Sequence, residues 1–365
     1  MLSPSDGAAG SPRRSRPRRR RILRLVGALL GGLLVVAAVA GAAIHVPYVI
    51  VSPGDAAALD SRTVTVSGAP TYPHPGQVLF LTVQVSTQDP NLYRWAFASL
   101  DSSDSVEKKQ DVLGCASYAA DGRLNDLLWT DSQDTAKAIA LTRLGYPVTH
   151  LGDQVVVADV QCGGPSDHRL QVGDIITAVD GHPVSTAAAV RPLVVAHRPG
   201  ELVHITVRRG SQPIDVTIRA GQDAGHAFLG IVSQTLSSWR VPITVKINIP
   251  SVSGPSAGLA FTLALIGQLT PGDLTGGHRI ATTGTIEPDG SVGPVGGVVQ
   301  KEIAAKRNGA VAMLVPTDEA HDARAHANGL RIFAVANIND ALNALHQLGG
   351  ATVPTTPPSS IPAAQ

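Results

Sequence analysis

From Leu25 to Ile44 the chain runs for twenty residues without a charged side chain. At ~1.5 Å per residue, a helix of that length spans ~30 Å, the thickness of the hydrocarbon core of a bilayer. Eight arginines lie just ahead of it, between Arg13 and Arg24. Arginine-rich flanks stay cytoplasmic. The sequence therefore predicts a single-pass cell-membrane protein: a basic, disordered cytoplasmic tail (1–24), a transmembrane helix (25–46), and an extracytoplasmic remainder. A cleaved signal peptide is the competing reading, because Ala38-Val39-Ala40 resembles a small-residue cleavage site. Its apolar region would exceed the usual ~7–15 residues.

The arginine run also invites a nucleic-acid reading. Set aside, it leaves 21 basic against 27 acidic residues, because only Asp6 precedes it. A body of about −6 offers no nucleic-acid surface. Cys115 and Cys162 are far apart and form no Cys-x-x-Cys pair, so a metal or dithiol role is not expected. Outside the cytoplasm they have two futures, one disulfide or two buried thiols.

With 365 residues, 44% of them apolar, there is ample core for more than one domain. The first part, 47–147, holds a strand at Val78–Val85 and a helix near Leu127–Gly145, with Asp131 or Ser132 as its cap and Gly145 with Pro147 as its end. The second, 148–221, starts a strand at Val155–Val157. It then reads Leu170-Gln171-Val172-Gly173-Asp174-Ile175-Ile176 and Val179-Asp180-Gly181, with closing strands at Val203–Val207 and Ile214–Ile218. The third, 226–349, alternates apolar and polar residues from Val241 to Ile249, then has a glycine turn and a helix ending near Leu269. Strands at Val311–Val315 and Arg331–Val335 and a helix near Asn339–Leu348 complete it. Mixed strands and helices make the class α/β (α+β). The tail 350–365 is rich in Pro, Thr, Ser and Ala and reads as disordered.

Gly254-Pro255-Ser256-Ala257-Gly258-Leu259 lies between strand and helix. Pro255 suits a first helical turn, and a serine there has free backbone N–H groups around it to hold an oxyanion, those of Ser256 and Ala257 first. The plain alternative is a helix cap. A nucleophilic hydroxyl needs a base. None of His278, His321, His326 and His346 sits in a recognisable triad. Three lysines follow residue 220: Lys246, on the polar face of a strand; Lys306, four residues after Glu302 as an exposed pair; and Lys301, on a face with Val298, Ala304 and Ala305. Burial gives a lysine the neutral amine a base requires.

The second part resembles a PDZ domain in its leucine, Gly-Asp, paired apolar residues and Asp-Gly turn. PDZ domains bind extended peptides at a sheet edge. Gly254–Gly258 is similar to the active-site motif of Lon proteases, and Gly296-Gly297-Val298-Val299-Gln300-Lys301-Glu302 resembles the Lon segment that carries the catalytic lysine. Thr283-Gly284 and Gly293–Gly297 fit the same family in order and spacing, and Thr130–Gly145 resembles an early helix of its fold. The resemblance implies a Lon-type proteolytic domain at 226–349, its first half at 47–147, and a PDZ module at 148–221 inserted between them. It also implies a Ser-Lys dyad of Ser256 (nucleophile) and Lys301 (general base), with Thr283 orienting the lysine. The arrangement as a whole resembles bacterial membrane-anchored PDZ-containing Lon-like serine proteases.

Two positions depart from the family: Ser253 and Thr285 stand where Lon has acidic residues. No Gly-x4-Gly-Lys-Ser/Thr phosphate loop occurs in the chain. The expectation is an ATP-independent serine endopeptidase without metal or cofactor. It would act on unfolded or flexible extracytoplasmic proteins, take peptide substrates through the PDZ and the cleft, and bind membrane through one helix and no nucleic acid; the sequence leaves a homo-oligomer open. Its rivals are a non-catalytic PDZ receptor on a peptidase-like scaffold and an esterase or amidase with the same dyad.

Overall fold

A computed structural model describes residues 17–250, 252–327 and 329–354. Of the two tails expected to be disordered, residues 1–16 and 355–365 lie outside this range. Helix α1 (Pro17–Ala43) begins inside the arginine run, so part of the first tail is helical. Its segment Leu25–Ala43 has a mean hydropathy of 2.4 and is almost wholly exposed.

The next stretch forms β1 (Tyr48–Ala58), β2 (Val64–Ser67), β3 (Gln77–Val85), α2 (Leu92–Leu100), β4 (Ser105–Lys108), α3 (Lys109–Leu113) and α4 (Tyr118–Arg143). After it come β5 (Thr149–Val160), β6 (Ile175–Val179), β7 (His182–Pro183), α5 (Ala187–Val195), β8 (Leu202–Arg209), β9 (Gln212–Arg219), β10 (Gly221–Asp223), β11 (His226–Phe228) and β12 (Ile231–Arg240). The last stretch forms β13 (Thr244–Ile247), α6 (Gly258–Leu269), β14 (Arg279–Thr282), β15 (Thr285–Ile286), β16 (Val292–Gly293) and α7 (Val298–Arg307). It ends with β17 (Ala312–Pro316), α8 (Ala320–His326), β18 (Arg331–Val335) and α9 (Ile338–Gln347).

One six-stranded sheet has the order β18-β17-β14-β3-β1-β4. Its first four strands are parallel, and β1 is antiparallel to both neighbours. Alternation along each strand feeds two separate cores, as a period of two requires. Val78, Phe80, Ile280 and Leu314 pack with α6 and α9 on one face. Leu79, Leu81, Ala281 and Met313 pack with α7 and α8 on the other. The sheet draws on residues before 109 and after 278, so everything between interrupts it in sequence without entering it.

The second sheet is antiparallel in the order β12-β5-β6-β8-β9. Asp174, from the Gly-Asp motif, is buried and takes both Nε (2.7 Å) and Nη2 (2.8 Å) of Arg209, a bidentate pair that ties the turn before β6 to the end of β8. Strand β12 runs antiparallel to β5 and completes the sheet from beyond residue 221, where the sequence reading closed this block.

Helix α4 joins the two bodies. It starts nine residues before the expected Leu127 because Ser117 caps it, accepting the Ala120 N–H. Asp131 and Ser132, expected as caps, therefore sit mid-helix. Its first half sends Ala120, Leu124 and Leu128 into the core of the second sheet. Its second half sends Ala136, Ala140 and Leu141 into the core of the first. Gly145, at φ 78°, ends it. A disulfide joins Cys115, just ahead of α4, to Cys162, just past β5.

Candidate active site

The site lies where the carboxyl end of β14 meets the turn before α6 and the first turns of α7. Helix α6 starts at Gly258, so Pro255 and Ser256 occupy the preceding turn, not the first helical turn that the proline suggested. Gly254 takes φ +89°, a backbone state that disfavours a side chain. Four hydrogen bonds fix the turn from outside. Gly254 N–H donates to the Asn125 carbonyl at 2.9 Å. Ser132 Oγ donates to the Pro255 carbonyl at 2.9 Å. The Ser256 carbonyl accepts the Gly284 N–H at 3.0 Å and the Thr283 hydroxyl at 3.3 Å. Gly258 has no room for a side chain: a Cβ there would lie 2.8 Å from both Ser132 Oγ and Ile286 Cγ2. Among the described residues, the N–H groups of Ser256 and Ala257 donate to no protein carbonyl.

Lys301 projects from α7 beneath this turn. It is 2% exposed, and Val298, Ala304 and Ala305 on the same face are buried with it. Nζ donates to Thr283 Oγ1 at 3.1 Å. Thr283 is itself fully buried. Loss of hydration lowers the Lys301 pKa to about 7, against a smaller opposing pull from the Glu319 carboxylate. The approach of α7 depends on Gly297, which caps it at φ +64° and whose Cβ would meet Val83 Cγ1 at 2.8 Å. Thr283 thus bonds both the lysine amine and the serine main chain. Among the described residues, no hydrogen bond joins Nζ directly to Ser256 Oγ; contacts of this kind are often long before substrate binds.

Lys246 and Lys306 are exposed, as the face argument expected. Glu302 is not exposed, contrary to expectation: it is 1% exposed, so its pairing with Lys306, whose charge still pulls on it, is not a surface one. Burial raises its pKa. Ser253 is exposed beside the turn, and Thr285 Oγ1 lies 3.4 Å from Glu287 Oε1. An acid therefore stands near the Thr285 position two residues late. Glu287 and Asp131 are both pushed up by burial, Asp131 to about 6.

The residues that sequence reasoning missed are Asn125 and Ser132. Only the resemblance of Thr130–Gly145 to an early Lon helix pointed near them. Asp131, between them and the second sheet, accepts the Ser237 N–H of β12 at 2.6 Å. Ser237 Oγ in turn donates to Asp153 at 2.8 Å. Strand β12 is the outermost of its sheet, and the Ala187 N–H at the start of α5 reaches across to Thr235 Oγ1 at 3.0 Å.

Two family models match the chain: a PDZ domain over residues 142–219, and the Lon protease (S16) C-terminal proteolytic domain over residues 226–347. A Lon protease of Porphyromonas gingivalis is 34% identical over 129 residues, 34% of this chain and 15% of that protein. One from Desulforamulus reducens is 30% identical over 134 residues, 33% of this chain and 16% of that protein. The chain thus spans less than a fifth of these relatives' length. A solved PDZ domain of an SdrC-like protein from Listeria monocytogenes shares 23% identity, covering 22% of this chain and 85% of that one at a TM-score of 0.21. The chain carries a PDZ domain and a Lon-type proteolytic domain behind one N-terminal apolar helix.

Proposed function

We propose that this chain is a membrane-anchored serine endopeptidase that cuts flexible extracytoplasmic proteins without ATP, using Ser256 as nucleophile and Lys301 as general base. The single observation that supports it most is the amine of Lys301: enclosed, held near pKa 7, and bonded to the same threonine that bonds the Ser256 main chain. An amine that gives one hydrogen to Thr283 and is half neutral near pH 7 keeps its lone pair for a serine proton.

In the cycle, neutral Lys301 takes the Ser256 proton as Oγ attacks the scissile carbonyl carbon. The N–H groups of Ser256 and Ala257 receive the oxyanion. The ammonium then protonates the leaving amine, and water, deprotonated by the same lysine, releases the acyl group. Glu319, whose pull on Lys301 favours its charged form, steadies that ammonium.

The disulfide supports an oxidising compartment, and α1 preceded by arginines supports an anchor with the remainder outside. Among the described residues no further strand pairs with β12, and its stretch beside α5, ahead of the Ser237 N–H held by Asp131, is where an extended peptide would add as a strand.

The test is digestion of an unstructured protein such as casein by the full chain in detergent, with no nucleotide added. Wild type is expected to cleave. Ser256→Ala and Lys301→Ala are expected to be inert, with unchanged circular dichroism. A Ser256→Ala variant that still cleaves would end this reading.

A further inference from the structure

Helix α2 has two apolar sides. Its inner side carries Ala98, buried, and Trp95, whose ring lies 5.8 Å from that of Tyr48 on β1. Its outer side carries Tyr93, Phe97 and Leu100, spaced i, i+4, i+7 on one stripe. Phe97 is 73% and Leu100 84% exposed. A short helix with Arg94 and Ser99 on its flanks does not leave Phe97 and Leu100 side by side in water without a reason.

The place of this stripe supplies one. The segment after α1 is stitched to the start of α2: Leu92 N–H donates to the Ile44 carbonyl, and Val46 N–H to the Pro90 carbonyl. Tyr93 OH donates to the Ala37 carbonyl of α1 at 3.1 Å, and the tyrosine ring lies across Gly41, where a Cβ would meet it at 2.6 Å. Ala37 is six residues, about 9 Å, from the end of α1. Tyr93 is therefore already alongside the apolar part of α1, and the stripe it begins continues uncovered through Phe97 and Leu100.

We propose that α2 lies in the membrane interface beside α1, with Tyr93, Phe97 and Leu100 set into the boundary between lipid headgroups and acyl chains. The occupant of this face is the bilayer, because the stripe is continuous with the helix that crosses it. The inference rests on α1 being a membrane span. Its consequence is that the catalytic body is seated on the membrane in one orientation and does not swing on a single tether.

Both cysteines are in the disulfide, so single introduced thiols can be spin-labelled in the full chain. In nanodiscs of phosphatidylcholine and phosphatidylglycerol, Leu34→Cys, Phe97→Cys, Leu100→Cys and Ser99→Cys report collisions with oxygen, which enriches in lipid, against a water-soluble nickel chelate. Labels at 34, 97 and 100 are expected to favour oxygen, and the label at 99 the chelate. Labels at 97 and 100 that read like 99, while 34 reads as lipid, overturn the inference and leave the anchor standing. A label at 34 that favours the chelate overturns the anchor and the inference with it. Dipolar broadening at 97 that disappears on dilution with unlabelled chain, with no oxygen preference, assigns the stripe to a second copy and also overturns it.

Discussion

Ser132 and Pro255 are 123 positions apart, and the hydroxyl of the first donates to the carbonyl of the second across 2.9 Å. That bond sets the plane of the peptide unit between Pro255 and Ser256, and so the direction of the Ser256 N–H that would meet the oxyanion. Removing it with Ser132→Ala is expected to lower kcat by roughly tenfold, the worth of one hydrogen bond of about 1.4 kcal/mol. KM should stay near wild type, and Ser132→Thr should restore most of the rate. A loss confined to KM or to thermal stability would mean that the bond only supports the fold.

Thr283 serves two partners at once, the Lys301 amine and the Ser256 carbonyl. Thr283→Val keeps its shape and deletes both bonds. Leaving buried polar groups unmatched costs about 1–3 kcal/mol, which corresponds to a fall in kcat/KM of about 5- to 150-fold. Thr283→Ser keeps the hydroxyl and is expected to remain within a few-fold of wild type. Steady-state kinetics on one fluorogenic peptide decide between the two outcomes.

The general-base role carries a pH signature. With Lys301 near pKa 7, kcat/KM should rise about tenfold per pH unit below 7 and level off above it, because only the neutral amine accepts the serine proton. Lys301→Arg should be inactive at every pH, since a guanidinium stays charged. A flat profile between pH 5 and 8 would remove the lysine from the proton transfer.

The same burial makes a statement about stability. An unfolded lysine holds its proton up to about pH 10.5, and folded Lys301 only up to about 7. Between these values the unfolded chain binds more protons, so stability rises with pH across that window and is lowest below 7. Lys301→Met should therefore melt higher than wild type at pH 7, by a margin on the order of a few kcal/mol, and lose the pH dependence between 7 and 10.5. Calorimetry across that range is the check; a variant that melts lower than wild type at pH 7 contradicts the assigned burial cost.

The candidate dyad came from the resemblance of two local motifs to Lon; the residues alone gave a small-residue turn around Ser256, which a helix cap explains as well, and an apolar face of Val298, Ala304 and Ala305 around Lys301. The polar face of a strand predicted the exposure of Lys246, and a helix face that of Lys306. The helix face failed at Glu302, whose burial comes from packing around α7 that the pattern of one helix does not contain. Ser132 was invisible as a support for the turn, because its partner is more than a hundred residues away and no periodicity links them. The boundary at 221 missed β12 for a similar reason: its pairing with β5 reaches back across the whole of the intervening block. Local chemistry and face periodicity can be read from one segment, while the supports that aim the chemistry are long-range.

The disulfide offers the last prediction. It closes a span of 47 residues between the start of α4 and the end of β5. Chain entropy alone assigns such a loop about 4 kcal/mol of stabilisation through the unfolded state. The paired substitution Cys115→Ser with Cys162→Ser should therefore melt lower than wild type, as should wild type in reductant, and the double variant should not respond to reductant. The effect should reach catalysis, because α4 also carries Asn125 and Ser132, which hold Gly254 and Pro255. Loosening the start of that helix is expected to reduce kcat more than KM. A double variant with wild-type melting and wild-type kcat would show that the cross-link braces neither the helix nor the turn.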